Sequence, residues 1–126
     1  MDDLPEGAEL RYQAALDKGR FEIQCCDDCR RHVFYPRQLC PHCGSAALRW
    51  VRPGGWGTVY STTTVRLDPQ DLHDVSLIDL DEGVRLMSRV DDLPPGSVRI
   101  GQRVRARVAV EQGVGVLVFD AAEGAR

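Results

Sequence analysis

The chain has 126 residues, enough for one domain or for one small domain with an appendage, and a formal net charge of −3. This acidic balance argues against nucleic acid as the default partner, and no stretch approaches the roughly 20 apolar residues of a membrane span. The opening Met1-Asp2-Asp3-Leu4-Pro5-Glu6 does not read as a signal peptide, so the five cysteines are expected in the reducing cytoplasm, where paired thiols hold metal more often than they form disulfides.

Residues 4–18 read as a helix, with Asp3 as its cap, Pro5 in its first turn, and Leu4, Ala8, Tyr12 and Leu16 as its apolar stripe. Gly19 is its stop. A short strand over Phe21–Gln24 leads into Cys26-Asp-Asp-Cys29. His32–Tyr35 then pairs back before Pro36, Cys40-Pro-His-Cys43 follows, and Leu48–Val51 forms another short strand.

The two C-x-x-C knuckles are the strongest signal in the chain. Each sets two sulfurs on one tight turn, and the ten residues between them allow a hairpin that folds one turn onto the other. Four thiolates make the closed tetrahedral shell that Zn²⁺ prefers, which builds structure and leaves no position for chemistry. Cys26, Cys29, Cys40 and Cys43 are therefore the expected ligands. Pairing Cys25 with Cys29 would need a wider turn, so Cys25 is read as a free thiol, and with four cysteines at hand His32 and His42 are not needed. A thioredoxin-type dithiol at Cys40 and Cys43 would require a long helix after it, and Gly44-Ser-Ala-Ala-Leu-Arg-Trp is too short.

Arg52-Pro-Gly-Gly-Trp-Gly marks a boundary, giving expected domains at 1–52 and 53–126. Beyond it the chain reads as strand: Thr58–Leu67, Val75–Leu80, then Val84–Val90 after an Asp81-Glu-Gly83 turn. Asp91–Gly101 reads as a loop. In Arg103–Val110 the residues Val104, Ala106, Val108 and Val110 point inward and Arg103, Arg105 and Arg107 outward, and Val114–Phe119 follows Gly113. Five short strands between turn residues fit an OB-type barrel. His73 and Asp74 are assigned to a polar, solvated loop, and no serine, histidine or acid is placed as a credible general base or nucleophile. The arginines of the fourth strand have no aromatic residues interleaved with them in sequence, which weakens a base-stacking role for Trp56 and Tyr60 on the first barrel strand.

The order helix, Gly19-Arg-Phe-Glu-Ile-Gln-Cys-Cys-Asp-Asp-Cys29, Tyr35-Pro-Arg-Gln-Leu-Cys-Pro-His-Cys-Gly-Ser45, Trp50, Gly55-Trp-Gly-Thr-Val-Tyr-Ser-Thr-Thr-Thr-Val65, Leu80-Asp-Glu-Gly-Val-Arg-Leu86 and Ile100-Gly-Gln-Arg-Val104 resembles the zinc-ribbon plus OB-fold proteins catalogued as domain of unknown function 35. It departs from that family's Cys-x-x-Cys-Gly knuckle at Arg30, where a non-glycine in a left-handed turn costs about 1 kcal/mol. The resemblance implies a mainly β fold, with an N-terminal helix and rubredoxin-like zinc ribbon followed by a five-stranded OB-fold barrel.

In function it implies a non-catalytic accessory subunit of acyl-CoA metabolism, including lipid or steroid breakdown. Such a subunit would dock onto a thiolase-like, aldolase-like or hydratase-like enzyme and help present the CoA thioester. On that reading Arg31, Arg37, Trp56 and Tyr60 are the candidate CoA contacts, with zinc structural. The helix and ribbon are the candidate docking surfaces, through Leu4, Leu10, Tyr12, Leu39 and Trp50, and the barrel face bearing Arg103, Arg105 and Arg107 is the alternative. The rival function is a single-stranded nucleic-acid-binding OB module carrying a structural ribbon. A stand-alone thioester hydrolase or transferase is opposed by the missing catalytic set.

Overall fold

The computed structural model describes residues 7–68 and 71–122. Asp3, Leu4 and Pro5, named above in the helix start, lie outside them. Contacts divide the chain into two compact units. The first runs to Pro53 and takes in Glu82–Val84 and Val108–Val116, and the second holds Gly54–Asp81, Arg85–Arg107 and the segment from Leu117.

In the first unit, helix α1 (Ala8–Asp17) begins at Gly7, an N-cap that offers no side-chain acceptor. It ends where Gly19, at φ +84°, donates its N–H to the Leu16 carbonyl at 2.8 Å, the left-handed stop that glycine permits. Tyr12, Ala15 and Leu16 are buried. Tyr12 meets Phe34 and Phe21 edge-on, at ring separations of 5.5 and 6.5 Å. Burial, and secondarily the nearby Tyr35, pushes its hydroxyl pKa well above the ordinary 10.0. Tyr12 thus belongs to an aromatic core and not to an exposed docking patch. The reason is its place three and four residues before Ala15 and Leu16, on the helix face that packs inward.

Three short antiparallel strands form the ribbon sheet in the order β2-β1-β3: β1 (Ile23–Cys26), β2 (His32–Val33) and β3 (Leu48–Val51). The first starts and ends two residues later than the sequence suggests, so it runs straight into the first knuckle. All four of its residues are buried, and Gln24 lies between Val33 and Trp50 on the two neighbours.

The second sheet has the order β6-β5-β4-β7-β8: β4 (Trp56–Asp68), β5 (Asp71–Leu80), β6 (Arg85–Ser88), β7 (Arg103–Glu111) and β8 (Val114–Ala121). Strand β5 begins earlier than expected. The His73-Asp74 pair is in a strand and not a loop, because β4 and β5 extend together as one long hairpin. The Asp74 carboxylate accepts from the Thr64 hydroxyl at 2.8 Å and from the Gly96 N–H at 3.1 Å, so its polarity is satisfied within the fold.

The sheet curls nearly into a barrel. Val90 pairs with Phe119 in parallel, Asp91 N–H donating to the Phe119 carbonyl at 2.7 Å and Phe119 N–H to that of Arg89 at 2.9 Å. This seam joins the end of β6 to β8. Val59, Ile78, Leu80, Leu86, Val104, Val118 and Phe119 fill the interior. Gly57 is required there, since a Cβ would sit 2.8 Å from Ile78 Cγ2 and 3.0 Å from the Asp79 carbonyl oxygen. The alternation along β7 holds for Val104 (buried) and for Arg105 and Arg107 (exposed) but fails at Val110, which is 47% exposed beside the turn of the β7–β8 hairpin.

Candidate metal centre

The cysteine-bearing turns are built alike. Cys26 N–H donates to the Arg31 carbonyl and Cys40 N–H to that of Ser45, each five residues on. The Cys26 and Cys40 carbonyls in turn accept from the N–H of Arg30 and Gly44, each four residues on, at 2.8–2.9 Å. Equivalent bonding demands equivalent backbone, so Arg30 takes φ +68° where the second knuckle has Gly44 at +83°. The strain expected at Arg30 is therefore present, and the turn forms regardless.

The two turns bring the sulfurs of Cys26, Cys29, Cys40 and Cys43 within 4.8 Å of one another. Cys26 Sγ lies 3.6 Å from Cys43 Sγ, and Cys29 Sγ 3.7 Å from Cys40 Sγ. A zinc–thiolate tetrahedron with bonds of about 2.3 Å has edges of about 3.8 Å, so the donor set fits this ion in both chemistry and size. Backbone N–H groups of Cys29 and His42 point at the sulfurs of Cys26 and Cys40, at 3.5 and 3.3 Å, the donors that stabilise thiolate charge. Without an ion the crowded thiols differ. Burial raises Cys40, but the His42 and Cys43 N–H groups and the adjacent sulfurs bring it down to about 7. At Cys43 the lowering by the Ser45 N–H is outweighed by burial and the neighbouring sulfurs, giving about 12.

Cys25 stands apart. It is buried, with its sulfur against the carbonyls of Cys26 and Arg30 at 4.0 and 3.9 Å, outside the four-sulfur cluster. The two histidines are not in the cluster either, and the His42 ring lies 3.4 Å from the Arg31 guanidinium.

The candidate CoA contacts divide between the units. Arg31 is exposed in the first, and Arg37 lines a groove of about 360 Å³ with Arg11, Gln24, Leu48 and Trp50. Gln24 fixes that loop, its amide oxygen accepting from Arg37 N–H at 2.7 Å and its amide nitrogen donating to the Arg37 carbonyl at 2.8 Å. Trp50 is half-buried beneath Arg11, 4.8 Å from the ring centre, and so is not an open apolar surface. Leu10 and Leu39 are exposed, as expected of docking residues.

In the second unit Trp56 and Tyr60 each carry a guanidinium. Arg105 lies 4.6 Å and Arg103 5.8 Å from the Trp56 ring, and Arg85 lies 3.5 Å from that of Tyr60. Arginine and aromatic side chains are thus interleaved across strands, correcting the impression left by reading β7 alone. The cross-strand partnership of Trp56 with Arg105 is a matter of register, which the linear sequence does not display.

Comparison with known proteins agrees with this architecture. The family described as "ChsH2, rubredoxin-like zinc ribbon domain" matches residues 13–49, and that described as "ChsH2, C-terminal OB-fold domain" matches 50–109. A DUF35 domain-containing scaffold protein of Methanocaldococcus jannaschii is 28% identical over 103 residues, 75% of this chain and 73% of that protein. A probable enoyl-CoA hydratase alpha subunit of Thermomonospora curvata is 33% identical over 97 residues, 74% of this chain, although the matched region spans only 30% of that longer protein. Among solved structures, a chain of the Ltp2–ChsH2(DUF35) aldolase superposes with a TM-score of 0.82 at 27% identity, covering 94% of this chain and 97% of that one.

Proposed function

The chain belongs to the zinc-ribbon plus OB-fold family catalogued as domain of unknown function 35, and from that premise we propose that it is a non-catalytic scaffold subunit. It docks onto a thiolase-, aldolase- or hydratase-type acyl-CoA enzyme and helps present the CoA thioester, with catalysis in the partner. The observation that carries this reading is the near full-length likeness to a chain of the solved Ltp2–ChsH2(DUF35) aldolase. The hydratase subunit name of a second relative agrees with it. Cys26, Cys29, Cys40 and Cys43 hold zinc, which ties the ribbon together. Exposed Leu10 and Leu39 offer apolar contacts on the first unit, and Arg31 and Arg37 offer cations to CoA phosphates. The nucleic-acid alternative is opposed by the guanidiniums already resting on Trp56 and Tyr60, where a base would have to stack.

The test is co-expression with the cognate acyl-CoA enzyme, identified by mass spectrometry after co-purification from the native cell. One complex should elute in gel filtration, with an interface above the roughly 1,000 Å² floor for specific association. Removing residues 1–18 should weaken it. Separate elution of the two full-length proteins would overturn the scaffold reading.

A further inference from the structure

The outward face of the five-stranded sheet is assembled from four strands by register. Thr58 on β4 is opposite Asp79 on β5 and Arg103 on β7, and Asp79 in turn is opposite Arg85 on β6. One row across the sheet therefore reads Arg85, Asp79, Thr58, Arg103. Beside it Leu77 pairs with Met87, and a bulge between Val59 and Ser61 interrupts the register at Tyr60. Trp56 and Arg105 pair on the other side of the row. The inward neighbours Gly57, Val59, Ile78, Leu86 and Val104 are all buried, which confirms the direction of this face.

Its chemistry is that of a protein interface. Met87 is 69% exposed and Tyr60 50%, with Val75 at the rim. Tryptophan, tyrosine, methionine and arginine are the residues enriched where binding energy concentrates. The cations are held in place before any partner arrives. Arg85 binds Asp79 through two bonds of 2.6 and 3.2 Å while resting on Tyr60, and Arg103 binds Asp81 at 2.7 and 2.9 Å with the Thr58 hydroxyl at 3.1 Å. Pre-ordered side chains lose less entropy on binding. Arg105 differs, since it rests on Trp56 and has no carboxylate partner among the described residues. Three guanidiniums face two carboxylates here, on a chain whose formal charge is −3.

We propose that this sheet face is the barrel unit's docking surface for the partner enzyme, matched to a protein surface presenting a carboxylate to Arg105 beside an apolar patch that covers Tyr60, Leu77 and Met87. The inference rests on the scaffold reading and adds the location and chemistry of a contact. A nucleic acid fits less well. Phosphate tracking draws on several unpaired cations, whereas Arg85 and Arg103 are already neutralised.

The experiment measures affinity of the full chain for its co-purified, identified enzyme by biolayer interferometry, with Arg105→Glu, Met87→Glu and Trp56→Ala, and Arg99→Glu as an exposed charge control. Circular dichroism checks folding, and Arg105 and Met87 are exposed enough that their variants should fold even where Trp56→Ala does not. Weakening of about thirtyfold or more for Arg105→Glu and Met87→Glu, with Arg99→Glu unchanged, is expected, the size of a hot-spot loss. A folded Arg105→Glu and Met87→Glu pair that binds like wild type would overturn the face and leave the scaffold reading standing. Absence of a wild-type complex would overturn both. Binding of oligo-dT at low salt that disappears in Arg105→Glu would assign the face to nucleic acid instead.

Discussion

Removal of zinc should dismantle the ribbon and spare the barrel. The buried cluster around the knuckles consists of Cys26, Val33 and Cys40, with Cys29 and Leu48 packed against it. Only Val33 in that set is a fully buried aliphatic side chain, a contribution of about 1.5–3 kcal/mol. Ordering one residue costs on the order of 1–2 kcal/mol in backbone entropy alone. Beside the knuckles the three strands add one more fully buried aliphatic side chain, Ile23, so the two bring about 3–6 kcal/mol together, too little to order the knuckles and strands. A structural zinc supplies about 10–16 kcal/mol of apparent binding energy in small peptides, which reverses that balance. Metal analysis should find one zinc per chain. Chelation, Cys29→Ser or Cys43→Ser should collapse the amide NMR signals of residues 23–51, while those of Val59, Ile78 and Phe119 persist. Cys25→Ser should leave both the zinc content and the spectrum unchanged, because its sulfur faces backbone carbonyls and not the cluster. A metal-free chain that keeps slow amide exchange at Gln24 and Cys26 would refute the reasoning. Loss of zinc from the Cys25 variant alone would refute the ligand assignment.

Gly115→Ala should detach the β7–β8 hairpin tip from helix α1, because its Cβ would overlap the Leu16 carbonyl and lie 2.8 Å from the Asp17 nitrogen; a melting-temperature loss worth about 1–3 kcal/mol is expected, and an unchanged melting curve would contradict it. Gly57→Ala should destabilise the barrel to a similar degree through Ile78, read from chemical denaturation. The hydrogen bonds from Arg103, with its charge, hold the Asp81 carboxyl below the ordinary aspartate value of 3.8. A depressed carboxylate stabilises the fold above its unfolded pKa, and the contribution disappears as pH falls through the lower folded value. Carbon-13 titration of Asp81 should show a midpoint below 3.8, returning to the ordinary range in Arg103→Ala; no difference between the two would show that the pair is not formed in solution. Calorimetry should find only weak CoA affinity for the isolated chain, since the grooves beside Arg37 among the described residues are surface clefts that do not enclose a pantetheine arm, and submicromolar binding would mean that it carries a complete site.

The four-cysteine cluster was legible because its information is local. Two pairs of cysteines at fixed spacing determine two turns, and the turn at Arg30 was anticipated even with the wrong residue type for its φ. The barrel strands were legible for a similar reason: alternation along Val84–Val90 and Arg103–Val108 encodes the inner and outer faces of each strand separately. What escaped is whatever depends on two strands at once. Nothing in the segment Gly113-Val-Gly-Val116 announces that Gly115 must admit the end of helix α1, with its N–H on the Asp17 carboxylate at 2.8 Å and its carbonyl accepting from Gln13 at 2.8 Å.

The same limit explains the arginines. Read along β7, Arg103, Arg105 and Arg107 mark only an outward barrel face, the alternative docking surface, and Trp56 and Tyr60 fall on a face of another strand. Antiparallel register sets Arg105 opposite Trp56, and a single irregularity after Val59 alters the outward pattern at Tyr60. An arginine on an aromatic ring gains from the ring's negative face while keeping its N–H edge free to bind. Spread over four strands, five charged side chains and two rings become one ordered surface, although each strand alone carries only part of that pattern. A chain can therefore keep a bland strand-by-strand sequence and still present an ordered face, because that order resides in the cross-strand pairing that the sheet fixes.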